Sequence, residues 1–581
     1  MTFFRLLLAT LTACGIAAVA TVAAAAASRP NIILIMTDDQ GYGDLSIHGN
    51  PVLETPHLDA FARGSATMKN FHVSPVCSPT RASLMTGRYN YRTRVIDTFK
   101  GRSMMDPAEV TVAELLRGAG YATGIFGKWH LGDNYPMRPT DKGFEEALTI
   151  RGGGLAQPSD PIENDRRYTN PIVFRNNRQE QAKGFCTDVF FDGALDFITK
   201  SQRAGRSFFA YLAPNAPHDP LHDVPPALYA KYKAKDLTSV LLGQGKDTDS
   251  VARIYAMVEN IDENVGRLMA RLEAQNLLAN TIVIFMCDNG PASLRYVGPM
   301  RGKKTEPLDG GIRSPFYVHW PARLKPGTAS DRIAAHLDVL PTLLDAAAVP
   351  LPAGLKLDGR SLLPLLEGRN VPWPDRTLVL QSHRGNAPAA THNMTVRTQR
   401  WKLVHPTGFG RETPPPNAPF ELYELPVDPM EKNNLAASQP EVLQRLRDAY
   451  AAWFADVSNT RPDNFGPSRI IIGSDHETTT VLTRQNWRVP DTGDTGRDGA
   501  WLLRAERDSN YSVELRWLKP IAPGTIEIRA GDIVRTIDVR DATDRVTLDG
   551  LRIPRGELAF SATHHAGKTH EGAYHATLIR R

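Results

Sequence analysis

The chain has 581 residues, 41% of them hydrophobic and 23% charged, a balance that excludes a disordered chain and exceeds what one core can use, so roughly two to four domains or subdomains are expected. Its 68 Lys and Arg against 63 Asp and Glu leave a formal charge of +5. That is too mild for a nucleic-acid binder, and any attraction for an anionic substrate must come from a local cluster.

Arg5 precedes an apolar stretch over 6–22 and small residues through Ala27, the pattern of a signal peptide over 1–27 and hence of a secreted or periplasmic protein. Leu11-Thr12-Ala13-Cys14 also fits a lipobox, so a lipid anchor on Cys14 is the minor alternative. No later stretch is apolar enough to span a membrane. Without the leader, Cys77, Cys186 and Cys287 remain, too few for a disulfide framework. Burial of Cys186 and Cys287 as small residues is favoured over a bridge between them.

In chain order, the continuous apolar run 31–37 reads as a central parallel strand, followed by a polar loop that opens with Asp38 and Asp39. Residues 55–68 carry a capped helical pattern and 110–119 another, with a strand at 121–126. Helices over 188–200 and 250–275 alternate with strands over 208–213 and 281–287. A further strand at 316–320 and a helix at 336–348 complete a doubly wound, mostly parallel α/β sheet with helices on both faces. Ligands bind such sheets beyond the carboxyl ends of the strands. Asp38, Asp39, Asp288 and Asn289 all follow strands and could converge on one hard cation; the lack of His and Cys in the set favours calcium or magnesium over zinc.

Val76-Cys77-Ser78-Pro79-Thr80-Arg81 sets Cys77 at the start of a helix, because Pro79 suits a first turn. Free backbone N–H groups and the dipole favour an anion there, and Arg81, one turn on, could reach back. The Cys-x-Pro-x-Arg pattern with Thr86-Gly87-Arg88 resembles the signature of the type I sulfatases, the arylsulfatase-like branch of the alkaline phosphatase superfamily. Gly127-Lys128-Trp129-His130-Leu131-Gly132, Ala216-Pro217-His218-Asp219-Pro220 and the segment 301–313 resemble three further motifs of that family. The resemblance implies that a separate formylglycine-generating enzyme oxidises Cys77, that Asp38, Asp39, Asp288 and Asn289 hold one calcium ion, and that the substrate is a sulfated small molecule or glycan. By the same resemblance Lys128 and Lys304 contact sulfate, His130 orients formylglycine and later acts as its base, and His218 protonates the leaving group. Lys128 and His130 are expected to share one side of an extended strand end, with Trp129 packed behind. Lys303 is the neighbouring alternative to Lys304. Asp309 replaces the family's glutamate, which puts any contact made there in doubt.

Segments near 400–404, 421–425 and 428–436, with a helix at 440–457, resemble the family's smaller antiparallel C-terminal subdomain. The catalytic domain is therefore expected over 28–374 and that subdomain over 375–458. Beyond a linker, 468–581 turns to short alternating strands and reads as a β-sandwich, with Trp487, Trp501 and Trp517 favoured as core over a glycan platform. Loops 151–178 and 383–416 are expected to wall the pocket. The alternatives to a sulfatase are a phosphonate monoester or phosphodiester hydrolase of the same superfamily and a catalytically silent glycan-binding protein. Oligomeric state and natural substrate have no signal in the sequence.

Overall fold

A computed structural model of the chain describes residues 29–242, 247–460, 463, 465–489 and 498–581. The leader and Cys14 lie outside the described residues. Ten strands form the main sheet: β1 (Asn31–Thr37), β2 (Ala66–His72), β3 (Ala122–Lys128), β4 (Glu146–Ile150), β5 (Ile172–Arg175), β6 (Arg178–Gln181), β7 (Phe208–Ala213), β8 (Thr281–Cys287), β9 (Phe316–His319) and β10 (Ala329–Ala335). Their order is β10-β2-β9-β8-β1-β7-β3-β4-β5-β6. The five pairings β4-β3-β7-β1-β8 and β2-β10 are parallel, whereas β9 is antiparallel to both neighbours and β5 and β6 add an antiparallel edge.

β1 is apolar without alternation because it is covered on both faces. Ile32, Leu34 and Met36 point into one core and Ile33 and Ile35 into the other. The 27-residue helix Thr248–Ala274 and the helix Cys186–Arg203 cover the second core, while Val112–Gly118 and Val339–Ala346 pack against the first.

The helix expected over 55–68 stops at Arg63, and Ala66 begins β2. Gly64 ends the helix, and the alternation that follows belongs to a strand. Thr55 makes no capping bond to that helix; the Asp262 carboxylate, from the long helix, instead accepts from the N–H groups of His57 (3.2 Å) and Leu58 (2.6 Å). A cap supplied across 200 residues of chain leaves no local signal.

The C-terminal subdomain is a four-stranded antiparallel sheet (Leu378–Gln381, Met394–Arg397, Trp401–His405, Glu421–Glu424) covered by the helix Pro440–Ser458 through Leu446 and Tyr450. Beyond it, two sheets face each other, one built on Trp501–Ala505, Gly556–Ala566 and Gly524–Ala530, the other on Ser509–Ile521, Thr543–Ile553 and His575–Arg580. Trp487, Trp501 and Trp517 are no more than 1% exposed and fill the space between them, so none is a sugar platform. Met104 and Met137, from the catalytic domain, join the same cluster. Cys186 and Cys287 are free and buried, with no bridge between them.

Candidate active site

β1 and β8 run parallel with Thr37 opposite Cys287, so Asp38-Asp39 and Asp288-Asn289 leave the sheet at the same level. The Asp39 N–H donates to Asp288 Oδ1 (3.2 Å) and Asn289 Nδ2 donates to Asp39 Oδ1 (2.8 Å). Asp39 adopts a left-handed backbone conformation (φ 62°), which its short polar side chain tolerates at modest cost. Buried Arg295 braces that turn by donating to the Asp39 carbonyl (3.0 Å) while its fork holds Asp44. All four expected ligands are buried, and Asp38 Oδ1 and Asn289 Oδ1 have no hydrogen-bond partner among the described residues. Burial, and then the Asp38 charge, push Asp288 up to about 7, the signature of crowded carboxylates.

Cys77 opens the helix Cys77–Thr86 behind an extended Val76 that provides no side-chain cap, so the first-turn N–H groups face the site. Burial raises the Cys77 thiol above its ordinary value, and its Sγ lies 3.5 Å from His130 Nδ1. Arg81 does not reach back towards the cysteine, as the sequence suggested. Its guanidinium donates to Asp288 Oδ2 (2.9 Å) and to the Lys128 carbonyl (2.9 Å), tying the helix to two strand ends.

Lys128 is the last residue of β3, and its Nζ sits 2.6 Å from Asp38 Oδ2. His130 is brought alongside by a left-handed turn (φ 61°) and not by continuing the strand, which corrects the expected alternation; Trp129 is buried behind, its Nε1 donating to the Met137 carbonyl (2.9 Å). His130 Nε2 lies 2.9 Å from the Thr98 carbonyl, a geometry that assigns its proton to Nε2 and leaves the Nδ1 lone pair facing Cys77. Burial, then Lys128 and Arg81, keep this imidazole well below its ordinary value and hence neutral.

Lys304, and not Lys303, reaches the cradle, with Nζ 2.7 Å from Asp39 Oδ1. Burial opposes its charge, but Asp39, Cys77 and Asp38 together more than offset this and raise its pKa. His218 Nε2 is 3.7 Å from Asp39 Oδ2, and its Nδ1 donates to the Asp219 carbonyl (2.8 Å); burial lowers it to about 4. The ten sequence-derived residues are thus gathered around one point.

Two features had no sequence reading. Gly152-Gly153-Gly154, within the loop expected to wall the pocket, passes so close that a Cβ on Gly153 would lie 2.8 Å from His130 Cε1 and one on Gly154 3.2 Å from His218 Nδ1. A glycine run after a strand is the signal that was available. The second, Thr98 with Gln485 beside it, is held by contacts across the whole chain and has none. Asp309, where the shorter carboxylate left the contact in doubt, accepts from Lys402 Nζ (2.6 Å), which lies equally near Glu431 (2.6 Å).

A mostly parallel sheet that gathers buried carboxylates, a helix N-terminus and a ring of His and Lys at its carboxyl edge is the architecture of the alkaline phosphatase superfamily. Residues 30–349 match the family model described as Sulfatase, and 305–451 match that of N-sulphoglucosamine sulphohydrolase, C-terminal. Human arylsulfatase A (Homo sapiens) is 31% identical over 493 residues, which cover 78% of this chain and 92% of that protein. N-acetylgalactosamine-6-sulfatase of Canis lupus familiaris is 33% identical over 375 residues, 60% of this chain and 67% of that one. Among solved structures, Ps i-CgsB in complex with k-i-k-neocarrahexaose superposes with a TM-score of 0.64 at 26% identity, covering 74% of this chain and 94% of that chain. The chain belongs to the sulfatase family, type I, and is a sulfuric ester hydrolase.

Proposed function

We propose that the protein desulfates a sulfated carbohydrate, using formylglycine formed at Cys77 and one calcium ion, in the secreted or periplasmic compartment that its N-terminal residues address. The observation that carries this reading is the pairing of a buried, protonated Cys77 with His130 Nδ1 at 3.5 Å beside an acidic cradle. A thiol held protonated is a poor nucleophile, which favours a modified side chain at 77. Asp38 Oδ1, a carboxylate oxygen, and Asn289 Oδ1, an amide oxygen, both without a partner among the described residues, form with the Asp39 and Asp288 carboxylates the hard oxygen set that suits calcium. Calcium held there would draw charge from a sulfate oxygen. Formylglycine hydrate would supply one hydroxyl as nucleophile and keep a second, whose loss of a proton would re-form the aldehyde and release sulfate from the first. The carbohydrate assignment rests on a relative named for N-acetylgalactosamine and on a structural neighbour in complex with k-i-k-neocarrahexaose.

The chain's own groups divide the remaining work. Lys128 and Lys304 present ammonium groups at the cradle, where they stabilise charge growing on sulfuryl oxygens. Neutral His130 accepts a proton at Nδ1 from the group at position 77. His218 Nε2 faces the cradle; with its one N–H committed through Nδ1 to the Asp219 carbonyl, it must first take up a proton at Nε2, which it then passes to the departing oxygen.

Peptide mass spectrometry of protein made with a maturing enzyme should find formylglycine at position 77, and elemental analysis should find one calcium per chain. Asp288→Ala should lower both calcium occupancy and turnover. Unmodified Cys77 in fully active protein, or zinc at full occupancy, would overturn the proposal. Faster turnover of a phosphonate monoester than of any sulfate ester would move the substrate class.

A further inference from the structure

We propose that Gln485, carried by the β-sandwich, is a positioning residue for His130. This rests on the reading of His130 as the proton acceptor at position 77, and it adds a residue that no family motif contains: the family matches end at residues 349 and 451.

The sandwich is docked on the loops that build the site. Thr483 Oγ1 lies 3.2 Å from Ser159 Oγ, Asn486 Nδ2 donates to Asp133 Oδ2 (3.1 Å), and the Gly101 N–H donates to the Gln485 carbonyl (3.1 Å). Between these contacts the Gln485 side chain, 1% exposed, enters the site. Its Nε2 donates to the Thr98 carbonyl at 2.6 Å and stands 3.3 Å from His130 Nε2, across a separation of 355 residues.

Thr98 O therefore takes two donors, His130 Nε2–H at 2.9 Å and Gln485 Nε2–H at 2.6 Å. Because the Thr98 carbonyl can only accept, the imidazole's one proton lies on Nε2 and its lone pair on Nδ1, facing position 77, and the Gln485 amide, which donates to the same oxygen, holds that acceptor in place. The same residue is held from a second appended part of the chain. Arg384, from the C-terminal subdomain, donates to Asp97 Oδ1 (2.6 Å), and Asp97 Oδ1 accepts the Thr98 N–H (2.5 Å). The carbonyl that sets the His130 tautomer is thus clamped by the subdomain on one side and by the sandwich on the other.

A packing role alone does not account for the residue. Gln485 Oε1 is buried without a hydrogen-bond partner among the described residues, a desolvation cost that an apolar side chain of the same length would avoid. What the amide adds is the donor.

Gln485→Met keeps length and packing and removes the donor. It should lower kcat about tenfold or more with KM within about twofold, because binding groups are untouched while the acceptor loses its fixed orientation. In unmatured protein labelled with 15N-histidine, the His130 ring nitrogens, assigned with His130→Asn, should move from a single Nε2–H tautomer towards a mixture. Arg516→Ala breaks a docking pair with Glu163 on the same interface and should change neither readout. Wild-type kcat and ring signals in Gln485→Met would overturn the assignment, as would equal losses in Arg516→Ala, which would reduce the sandwich to a docking role. If Gln485→Met does not fold, Gln485→Asn, which keeps a donor on a shorter arm, should give the same tautomer mixture, and an unchanged single tautomer there would also overturn it. The ring-nitrogen readout needs no turnover, so failure of the sulfatase reading, seen as a wild-type chain inactive on every sulfate ester, is distinguishable from failure of this one.

Discussion

At the scale of single residues, the two histidines of the site commit opposite ring nitrogens to backbone carbonyls, and each, kept neutral by burial, turns its other nitrogen and a lone pair to the site. His130 commits Nε2 to Thr98 and turns Nδ1 to Cys77, whereas His218 commits Nδ1 to Asp219 and turns Nε2 to the cradle. Their identities were legible as motif residues, but this division was not, because it depends on carbonyls that the motifs do not contain and on a left-handed turn at His130. The assignment of His218 has a measurable consequence. A sugar alkoxide leaves badly without a proton and a nitrophenolate leaves well, so His218→Ala should slow a sugar sulfate roughly 10²-fold more than a nitrophenyl sulfate. Equal losses on the two substrates, measured as kcat, would place His218 at the sulfate or the cation instead. Asp309 makes the complementary point about stability. Lys402 is fully buried against both Asp309 and Glu431, so Lys402→Met would leave two buried carboxylates without their cation and should cost about 3–5 kcal/mol in urea unfolding. A loss below about 1 kcal/mol would show that Arg397 and Arg313, also beside Asp309, carry the balance.

At the scale of elements, the central strands were legible and those towards the edges were not, including β4, which is buried on both faces but too short to show a pattern. The runs 31–37, 208–213 and 281–287 are continuous apolar stretches, and the structure puts β1, β7 and β8 at those bounds. β2 continues the pattern of the preceding helix, and β5, β6 and β10 carry the polar residues of edge or half-exposed strands, which look like loop. The close approach of segments that make the cradle also had no pattern to betray it. Gly290 follows Asn289 directly, and a Cβ there would lie 1.9 Å from the Gly310 carbonyl oxygen, backbone against backbone with no flexible side chain to yield. Gly290→Ala must therefore push the 309–312 turn off the end of β8. The expected outcome is a loss of roughly 2–3 kcal/mol in stability and, with Asn289 as a ligand of the proposed calcium ion, at least about tenfold weaker calcium binding by titration calorimetry, since Asn289 moves with the backbone. Unchanged calcium affinity would mean that Asn289 is not held by this contact.

At the scale of the whole molecule, the sequence divides the chain into a catalytic domain and two appendages, yet the appendages are packed onto the loops of the site. The sandwich was legible as a fold from its alternating strands; its docking was not, because the contacts are single polar residues scattered through turns. One of them offers a test of how firmly the parts are joined. His575 Nε2 donates to the Pro158 carbonyl (2.7 Å), and burial lowers this imidazole to about 4. Its folded pKa lies below the unfolded value of about 6.5, so its contribution to stability is complete above that unfolded value and is lost as pH falls from about 6.5 towards 4, where the unfolded chain takes up a proton that the docked ring refuses. Between pH 7 and 5 that loss amounts to about 2 kcal/mol for this one group. Other buried groups titrate in the same window, some with the opposite sign: His336, His48 and His383 are likewise lowered, to about 3, 4 and 4, while Asp160 and Asp262 are raised to about 7 and 6. The raw pH profile of the wild type therefore cannot assign the effect, whereas its difference from His575→Gln can, because the other groups cancel. Unfolding free energies measured for the two proteins at pH 7 and pH 5 should converge at the lower pH by about 2 kcal/mol. Parallel profiles would show that His575 is protonated in the folded protein and that the sandwich meets the 158–163 loop through a wetter contact than the one described.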